Sequence, residues 1–233
     1  MKIAAVVPTS LSDYPDRVAA VVFTAGCTFR CPFCHNPDLV LPDRVSCLPA
    51  IDLEDVICDL TERSGFLDGV VVTGGEPTMH DDLPAFLTRL RDLELLVKLD
   101  TNGSRPAILK EVLSQRLVDY VAMDIKAPKA RYGELAGATV DVAAIQQSIA
   151  AIREAAPQYE FRTTVAPSLG VGDIEAIAEW IGGASRYVLQ PFVPRSGSLV
   201  DPQWADRTAM DEAALRRAWN RVAAAFDDGG VRA

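Results

Sequence analysis

Cys27, Cys31 and Cys34 stand in the stretch Gly26-Cys27-Thr28-Phe29-Arg30-Cys31-Pro32-Phe33-Cys34-His35-Asn36, a C-x3-C-x2-C spacing. Three thiolates on one tight loop can grip three irons of a cubane cluster. No fourth cysteine follows at a matching distance. A cluster that only carries electrons normally takes four thiolates. One held by three keeps an open iron, and an open iron can bind a ligand and do chemistry. The competing reading is structural zinc on the three thiolates and His35, since zinc accepts thiolate and imidazole tetrahedrally. Adjacent Cys34 and His35 strain that geometry, so His35 reads as a neighbour of the ligands. Cys47 lies in a Pro-flanked loop and is weighed as a fourth ligand, but its distance from the main loop fits no compact chelate. Cys58 sits beside the apolar positions Leu53, Val56, Ile57 and Leu60 and reads as a helix residue, a small hydrophobe.

Other polar groups fall where apolar β-branched runs end. Gly69–Thr73 runs into Gly74-Gly75-Glu76-Pro77. The glycines permit close backbone approach to a ligand, and Glu76 offers a carboxylate to an ammonium group. Leu95–Asp100 ends in Asp100-Thr101-Asn102-Gly103. Tyr120–Ile125 ends in Met123-Asp124-Ile125-Lys126, where alternation puts Asp124 and Lys126 on one face. Arg162 stands in Tyr159–Val165, and Gln190 closes Tyr187–Gln190. Taken singly, each group has an ordinary reading as turn, cap or surface ion pair; His80 reads as a loop cap. Following successive strands, they would face one pocket. A cation acceptor, carboxylate partners and a close backbone approach suit a bound amino acid.

The elements that must position these groups follow from the apolar pattern. The runs named above, with Val18–Thr24, are continuous rather than alternating, as in parallel strands buried on both faces. Between them lie helix-period segments: Leu83, Phe86, Leu87 and Leu90; Ile145, Ile149 and Ile152; Ile174, Ile177 and Ile181. Asp52, Asp82 and Asp173 stand at expected N-caps. A last helix is expected over Met210–Phe226, with a fraying tail at Asp227-Asp228-Gly229-Gly230. Six β/α repeats imply a parallel sheet with right-handed crossovers. The expected fold is α/β, a partial (β/α)6 TIM-like barrel with its chemistry at the C-terminal ends of the strands.

Composition agrees. The chain has 233 residues and 49% apolar residues, enough for one sizeable core. A single domain is expected, its core over about 16–195. Net charge is 23 − 32 = −9, with no long basic run, which disfavours nucleic acid as a partner. The apolar run Ile3–Val7 is too short for a leader core, and no stretch approaches a membrane span. A soluble, cytoplasmic protein is expected. The odd cysteine count argues against a disulfide scaffold.

The cysteine spacing with an aromatic before its third cysteine, followed by Gly-Gly-Glu-Pro, resembles the radical SAM superfamily over roughly residues 11–195. The resemblance implies a [4Fe–4S] cluster on Cys27, Cys31 and Cys34, with S-adenosylmethionine chelating the open iron. One electron would cleave the sulfonium and give a 5′-deoxyadenosyl radical. Phe33 would pack near the adenine. Gly74, Gly75, Glu76 and Pro77 would hold the methionine amino group. Asp100, Thr101, Asp124 and Lys126 look like ribose, carboxylate or cation-site residues, with Arg162 and Gln190 as further contacts. Leu11-Ser12-Asp13-Tyr14-Pro15-Asp16-Arg17-Val18, Cys34-His35-Asn36-Pro37 and Met123-Asp124-Ile125-Lys126-Ala127-Pro128 resemble, more narrowly, the anaerobic ribonucleoside-triphosphate reductase activating proteins. That implies a glycyl-radical enzyme as partner and a flavodoxin or ferredoxin as electron donor. A small-molecule substrate or a pyruvate formate-lyase-like partner is the alternative. Thr28 departs from the asparagine common in the family, with little consequence expected. Pro194–Ser198 and Lys126–Arg131 stand as candidate partner-contact loops.

Overall fold

The computed structural model describes residues 1–194 and 199–232. Its centre is one eight-stranded sheet in chain order: β1 (Ile3–Ser10), β2 (Ala19–Thr24), β3 (Gly69–Gly74), β4 (Leu96–Thr101), β5 (Tyr120–Asp124), β6 (Gln158–Val165), β7 (Arg186–Pro191) and β8 (Asp228–Val231). β1 pairs antiparallel with β2, and every later neighbour pair is parallel. The described helices are α1 (Pro37–Val40), α2 (Pro42–Cys47), α3 (Leu53–Arg63), α4 (Leu83–Asp92), α5 (Pro106–Ser114), α6 (Tyr132–Ala136), α7 (Val142–Ala155), α8 (Val171–Ile181) and α9 (Glu212–Val222). This is the expected partial barrel, with a strand added at each edge.

Both faces of the sheet are buried, for different reasons. Val22, Val72, Leu99, Met123, Phe161 and Leu189 belong to the main core with Leu87 of α4, Val112 of α5, Ile149 of α7 and Ile177 of α8. Each such side chain removed from water stabilises by about 1.5–3 kcal/mol. The inner face carries a smaller apolar cluster, Ala19, Val21, Val71, Tyr120 and Ala122, under Tyr14. Beside that cluster Lys98, Glu160 and Arg162 are buried inside the barrel. The unbroken apolar runs therefore report the outer face and β2–β3, while β4 and β6 carry charges inward.

The structure bears out some of the expected elements and corrects others. Ile3–Val7 is the body of β1, with Val6 opposite Val22. Pro8 is tolerated there because an edge strand can spare an N–H. The tail at Asp227–Gly230 does not fray. It forms β8, where a Cβ on Gly229 would run into the Tyr187 carbonyl. The last helix stops at Val222, and an Ala223–Ala225 turn lets Phe226 pack 4.9 Å from the Tyr187 ring. Asp52 caps α3, accepting from Glu54 N at 2.8 Å. Asp82 sits at the N-cap of α4 but takes the Met1 amino group instead of a helix N–H. Asp173 lies inside the first turn of α8 and accepts from Gly170 N at 2.9 Å, so the cap position is Gly170. Cys47 ends α2 rather than a loop, and Cys58 is on α3 as expected but exposed, not packed.

The cysteine loop is docked by backbone. Arg30 N donates to Ala136 O at 2.8 Å, and Gly137 (φ +61°) lets the end of α6 meet Arg30 with no room for a Cβ. Gly137→Ala should lower stability by about 1–3 kcal/mol for the left-handed backbone, with the clash in addition. Gly65→Ala, with open space around its Cβ, should stay within about 0.5 kcal/mol. Thermal melts of both variants check this; equal losses would show that the close approach at Gly137 is not required.

Candidate active site

The cysteine loop follows β2 and is folded on itself. Arg30 Nη1 donates to the Cys27 carbonyl at 2.6 Å and to Phe29 O at 2.7 Å, and Cys34 N donates to Cys31 O at 3.0 Å. Gly26 adopts φ +98°, donates its N–H to Leu39 O and accepts from Glu76 N, both at 2.8 Å. A Cβ on Gly75 would collide with the Gly26 carbonyl. Gly75 thus closes a backbone seam against the cysteine loop, while Gly74, the last residue of β3, packs against Thr24 of β2.

Glu76 is fully buried. Its Oε1 accepts from Thr78 N (3.1 Å), the Thr78 hydroxyl and Thr101 Oγ1 (2.7 Å), while Oε2 accepts from Asn102 N (2.6 Å). Burial nevertheless raises its pKa above the ordinary carboxylate value. Glu76 therefore ties the end of β3 to the end of β4, and one lone pair of Oε2 remains for a ligand.

A cavity of about 260 Å³ opens at these strand ends. Its wall includes Cys27, Cys31, Phe33, Cys34, Gly74, Gly75, Glu76, Asp100, Thr101, Asp124, Lys126 and Arg162, all named from the sequence. Pro77 and Gln190 are not on that wall. Pro77 is buried at the start of the Pro77–Met79 turn, and Gln190 pairs with Thr164, which lines the cavity in its place. Phe33 packs 5.9 Å from the Trp204 ring.

The cavity floor is a charge network. Arg162 Nε reaches Asp124 Oδ1 at 2.8 Å, and its Nη1 lies 3.4 Å from Asp100 Oδ2. Lys126 Nζ bonds Asp124 Oδ2 at 2.9 Å, Lys98 pairs with Asp100, and Thr73 Oγ1 donates to Asp100 Oδ2 at 3.2 Å. Burial opposes ionisation of both carboxylates. Arg162 outweighs it, helped by Lys126 at Asp124 and Lys98 at Asp100, and holds both below the usual range. Asp124 in turn raises Lys126 against its own burial, so the pair stays ionised.

The thiols fit a cubane better than a single ion. Burial pushes Cys27 up to about 11 and Cys31 up to about 12, with Lys126 pulling each down. A metal must displace those protons. Among the described residues no three His, Cys, Asp or Glu side chains converge tightly enough for one ion, whereas a cubane takes each thiolate on a separate iron. His35 is engaged elsewhere, with Nε2 2.7 Å from Val193 O and its ring stacked on Phe192. The zinc reading therefore loses its site.

Sequence reasoning missed Lys98, Thr73, Asn102, Thr164 and the role of Glu160. The signal was alternation: Lys98/Asp100 and Glu160/Arg162 are pairs two residues apart on β4 and β6. The Thr28 hydroxyl accepts from Asn102 Nδ2 at 3.1 Å and lies 2.7 Å from Ser104 Oγ. His80 does close a loop, with Nε2 3.0 Å from Ala25 O. Of the candidate contact loops, Lys126–Arg131 is folded on its own chain: Arg131 binds Glu134 and Asp173, each at 2.8 Å, and Lys129 lies over Trp180. From Arg195 on, Pro194–Ser198 lies outside the described residues.

The three thiols and the charged floor thus meet in one cavity at the strand ends of a partial barrel. The profile of the Radical SAM superfamily matches residues 21–181, and the chain belongs to that superfamily. Membership brings a [4Fe–4S] cluster and S-adenosylmethionine as cofactors. The chain is 32% identical over 199 residues to a candidate glycyl-radical enzyme activating enzyme of Methanocaldococcus jannaschii, covering 83% of this chain and 80% of that one. It is 31% identical over 116 residues to a pyruvate formate-lyase-activating enzyme of Listeria monocytogenes, 46% of each chain. The crystal structure of Streptococcus suis SuiB bound to S-adenosylmethionine shares the fold, with TM-score 0.70, 15% identity, 91% of this chain and 52% of that one covered. The chain thus spans about half of the last two. No helix among the described residues is long and apolar enough to cross a membrane.

Asp124 supplies a stability test. Its folded pKa lies below the unfolded value of about 3.9. Its contribution is therefore fully present above about pH 4 and is lost as pH falls through the folded pKa. Asp124→Asn, which strands Lys126 and Arg162, should cost about 3–5 kcal/mol at neutral pH. In urea titrations the gap to wild type should shrink progressively below about pH 4; a gap that stays constant into acid would contradict the ion-pair account.

Proposed function

We propose that this chain is a single-domain glycyl-radical activating enzyme that reductively cleaves S-adenosylmethionine. Its partner in this reading is an anaerobic ribonucleoside-triphosphate reductase, its electron donor a flavodoxin or ferredoxin, and its compartment the cytoplasm. The observation that carries the reading is the cavity in which the three thiols and the Asp100–Arg162–Asp124–Lys126 floor meet. The similarity to the Methanocaldococcus jannaschii relative, over four-fifths of that protein, directs it to a glycyl-radical partner.

Cys27, Cys31 and Cys34 would hold the cluster. Bound there, cluster and S-adenosylmethionine supply one-electron cleavage of the sulfonium and, from it, hydrogen-atom abstraction. The chain's residues bind and orient. Oε2 of Glu76 and the Gly74–Gly75 backbone would receive the methionine ammonium, with Pro77 shaping the turn behind them. Lys126 and Arg162 would meet the carboxylate. Asp100 and Thr101 would accept from the ribose hydroxyls. Phe33, buried against Trp204, would cover the adenine and exclude water. Gln190 supports the wall from behind Thr164.

Anaerobically reconstituted and reduced protein should convert S-adenosylmethionine to 5′-deoxyadenosine and methionine, measured by chromatography. Cys31→Ala should abolish the product along with cluster iron. A cognate reductase should then show a glycine-centred radical by electron paramagnetic resonance. Cleavage without that radical would remove the reductase from the reading, and a radical on a pyruvate formate-lyase-like enzyme instead would reassign the partner. No cleavage by fully loaded, reduced enzyme, with or without either partner, would end it.

A further inference from the structure

Below the cavity floor the charges continue. Glu160 precedes Arg162 by two residues on β6 and shares its inward face. It is fully buried. Its Oε2 accepts from Arg232 Nη2 at 2.9 Å and lies 3.6 Å from Arg186 Nε. Among the described residues its Oε1 forms no hydrogen bond of good geometry; it faces Arg162 Nη1 at 4.0 Å, and the Tyr120 hydroxyl, itself buried without a partner, acts on the same carboxylate. Arg186 also reaches Asp228 of β8, with Nη1 3.2 Å from Oδ2. A carboxylate can accept about four hydrogen bonds, so Glu160 is a buried side chain held firmly on one oxygen and loosely on the other. Arg162 is the cation on its loose side.

That asymmetry sets a competition. Arg162 is pulled toward the cavity by Asp124 and Asp100 and toward the barrel bottom by Glu160. Arg232 occupies Glu160 and thereby weakens the downward pull. We propose that Glu160 and Arg232 are positioning residues for Arg162, so that Arg232, the residue that follows strand β8, helps set the place of the guanidinium on the cavity floor. The proposal rests on the S-adenosylmethionine site described above. Without Arg232, Glu160 Oε2 is free and competes for Arg162, which withdraws from Asp124 and Asp100. Without the Glu160 charge the downward pull on Arg162 is gone while Asp124 and Asp100 still hold it, and Arg162 is displaced in the other direction. Either change misplaces a cation meant for the ligand.

The test is equilibrium binding of S-adenosylmethionine to anaerobically reconstituted, unreduced protein, measured by calorimetry with iron and sulfide content and melting temperature alongside. Arg232 is partly exposed, with 37% of its side chain accessible, so Arg232→Met should fold and load. Its dissociation constant should rise about 2- to 30-fold, with iron content unchanged and Arg232→Lys recovering much of the loss. Glu160→Gln should also weaken binding, and Arg232→Met should add nothing further in that background. Unchanged affinity in Arg232→Met would overturn the positioning role, as would equal, additive losses in both backgrounds. Should Glu160→Gln not fold, the Arg232 pair of variants decides alone. Wild-type protein with a full cluster that fails to bind would instead strike the S-adenosylmethionine reading itself, and this inference with it.

Discussion

Arg162, held between Asp100 and Asp124, is the interaction on which the interior depends. Each partner comes from a different strand, β4, β5 or β6, and each points into the curve of the sheet. Removing such ions from water costs several kcal/mol apiece, and a well-packed apolar replacement is often as stable or more so. A fold selected only for stability would have continued the valines and alanines of β2 and β3 across the barrel. The charges mark where a polar ligand belongs, and the three strands form a rigid frame that holds them there before anything binds.

The second constraint is steric. Gly75 lets the cysteine loop lie at Gly26 against the end of β3, and Gly137 lets it lie against α6. Side chains alone could not fix three thiols on a loop, because loops lack the ladder of bonds that stiffens a strand. Here backbone bonds at 2.8 Å from Gly26 to Leu39, Glu76 to Gly26 and Arg30 to Ala136 supply that stiffness. The Gly-Gly-Glu motif thus has a duty independent of any ligand. It brings two chain segments to backbone contact, and its glutamate pins the seam to β4 through Thr101 and Asn102.

How much of this was legible follows from periodicity. Continuous runs at Gly69–Thr73 and Tyr120–Ile125 announced buried parallel strands, and the i, i+3, i+4 pattern of Leu83, Phe86, Leu87 and Leu90 announced α4. The wall residues were legible because they close those runs. Lys98 and Glu160 were not, since a single charge inside an apolar strand reads as an interruption until the curvature of the sheet turns it inward. β8 was invisible for a different reason. Asp228-Gly229-Gly230 has the composition of a frayed end, and its pairing is imposed by Tyr187, Trp219 and Phe226, which bury against it. Asp82 and Asp173 show the limit of cap rules: each carboxylate sits where a cap could be, and a stronger cationic partner, the Met1 amino group or Arg131, takes part of it.

The floor and the thiols form one electrostatic unit. From β8 inward the charges alternate: Arg232, Glu160, Arg162, Asp124, Lys126. Lys126 is the last cation and the one that pulls the thiols of Cys27 and Cys31 downward against their burial. Three thiolates bring three negative charges into a half-buried loop that already has the Glu76 carboxylate beside it. The ammonium that offsets them cannot be free to swing away, and Asp124 anchors it at 2.9 Å. Asp124 can do so only while Arg162 compensates its second oxygen. Positive charge at the thiols is therefore maintained through pairs reaching to the far edge of the sheet. The same pairs leave Lys126 and Arg162 at the cavity wall, where an anionic group beside the thiols would meet them.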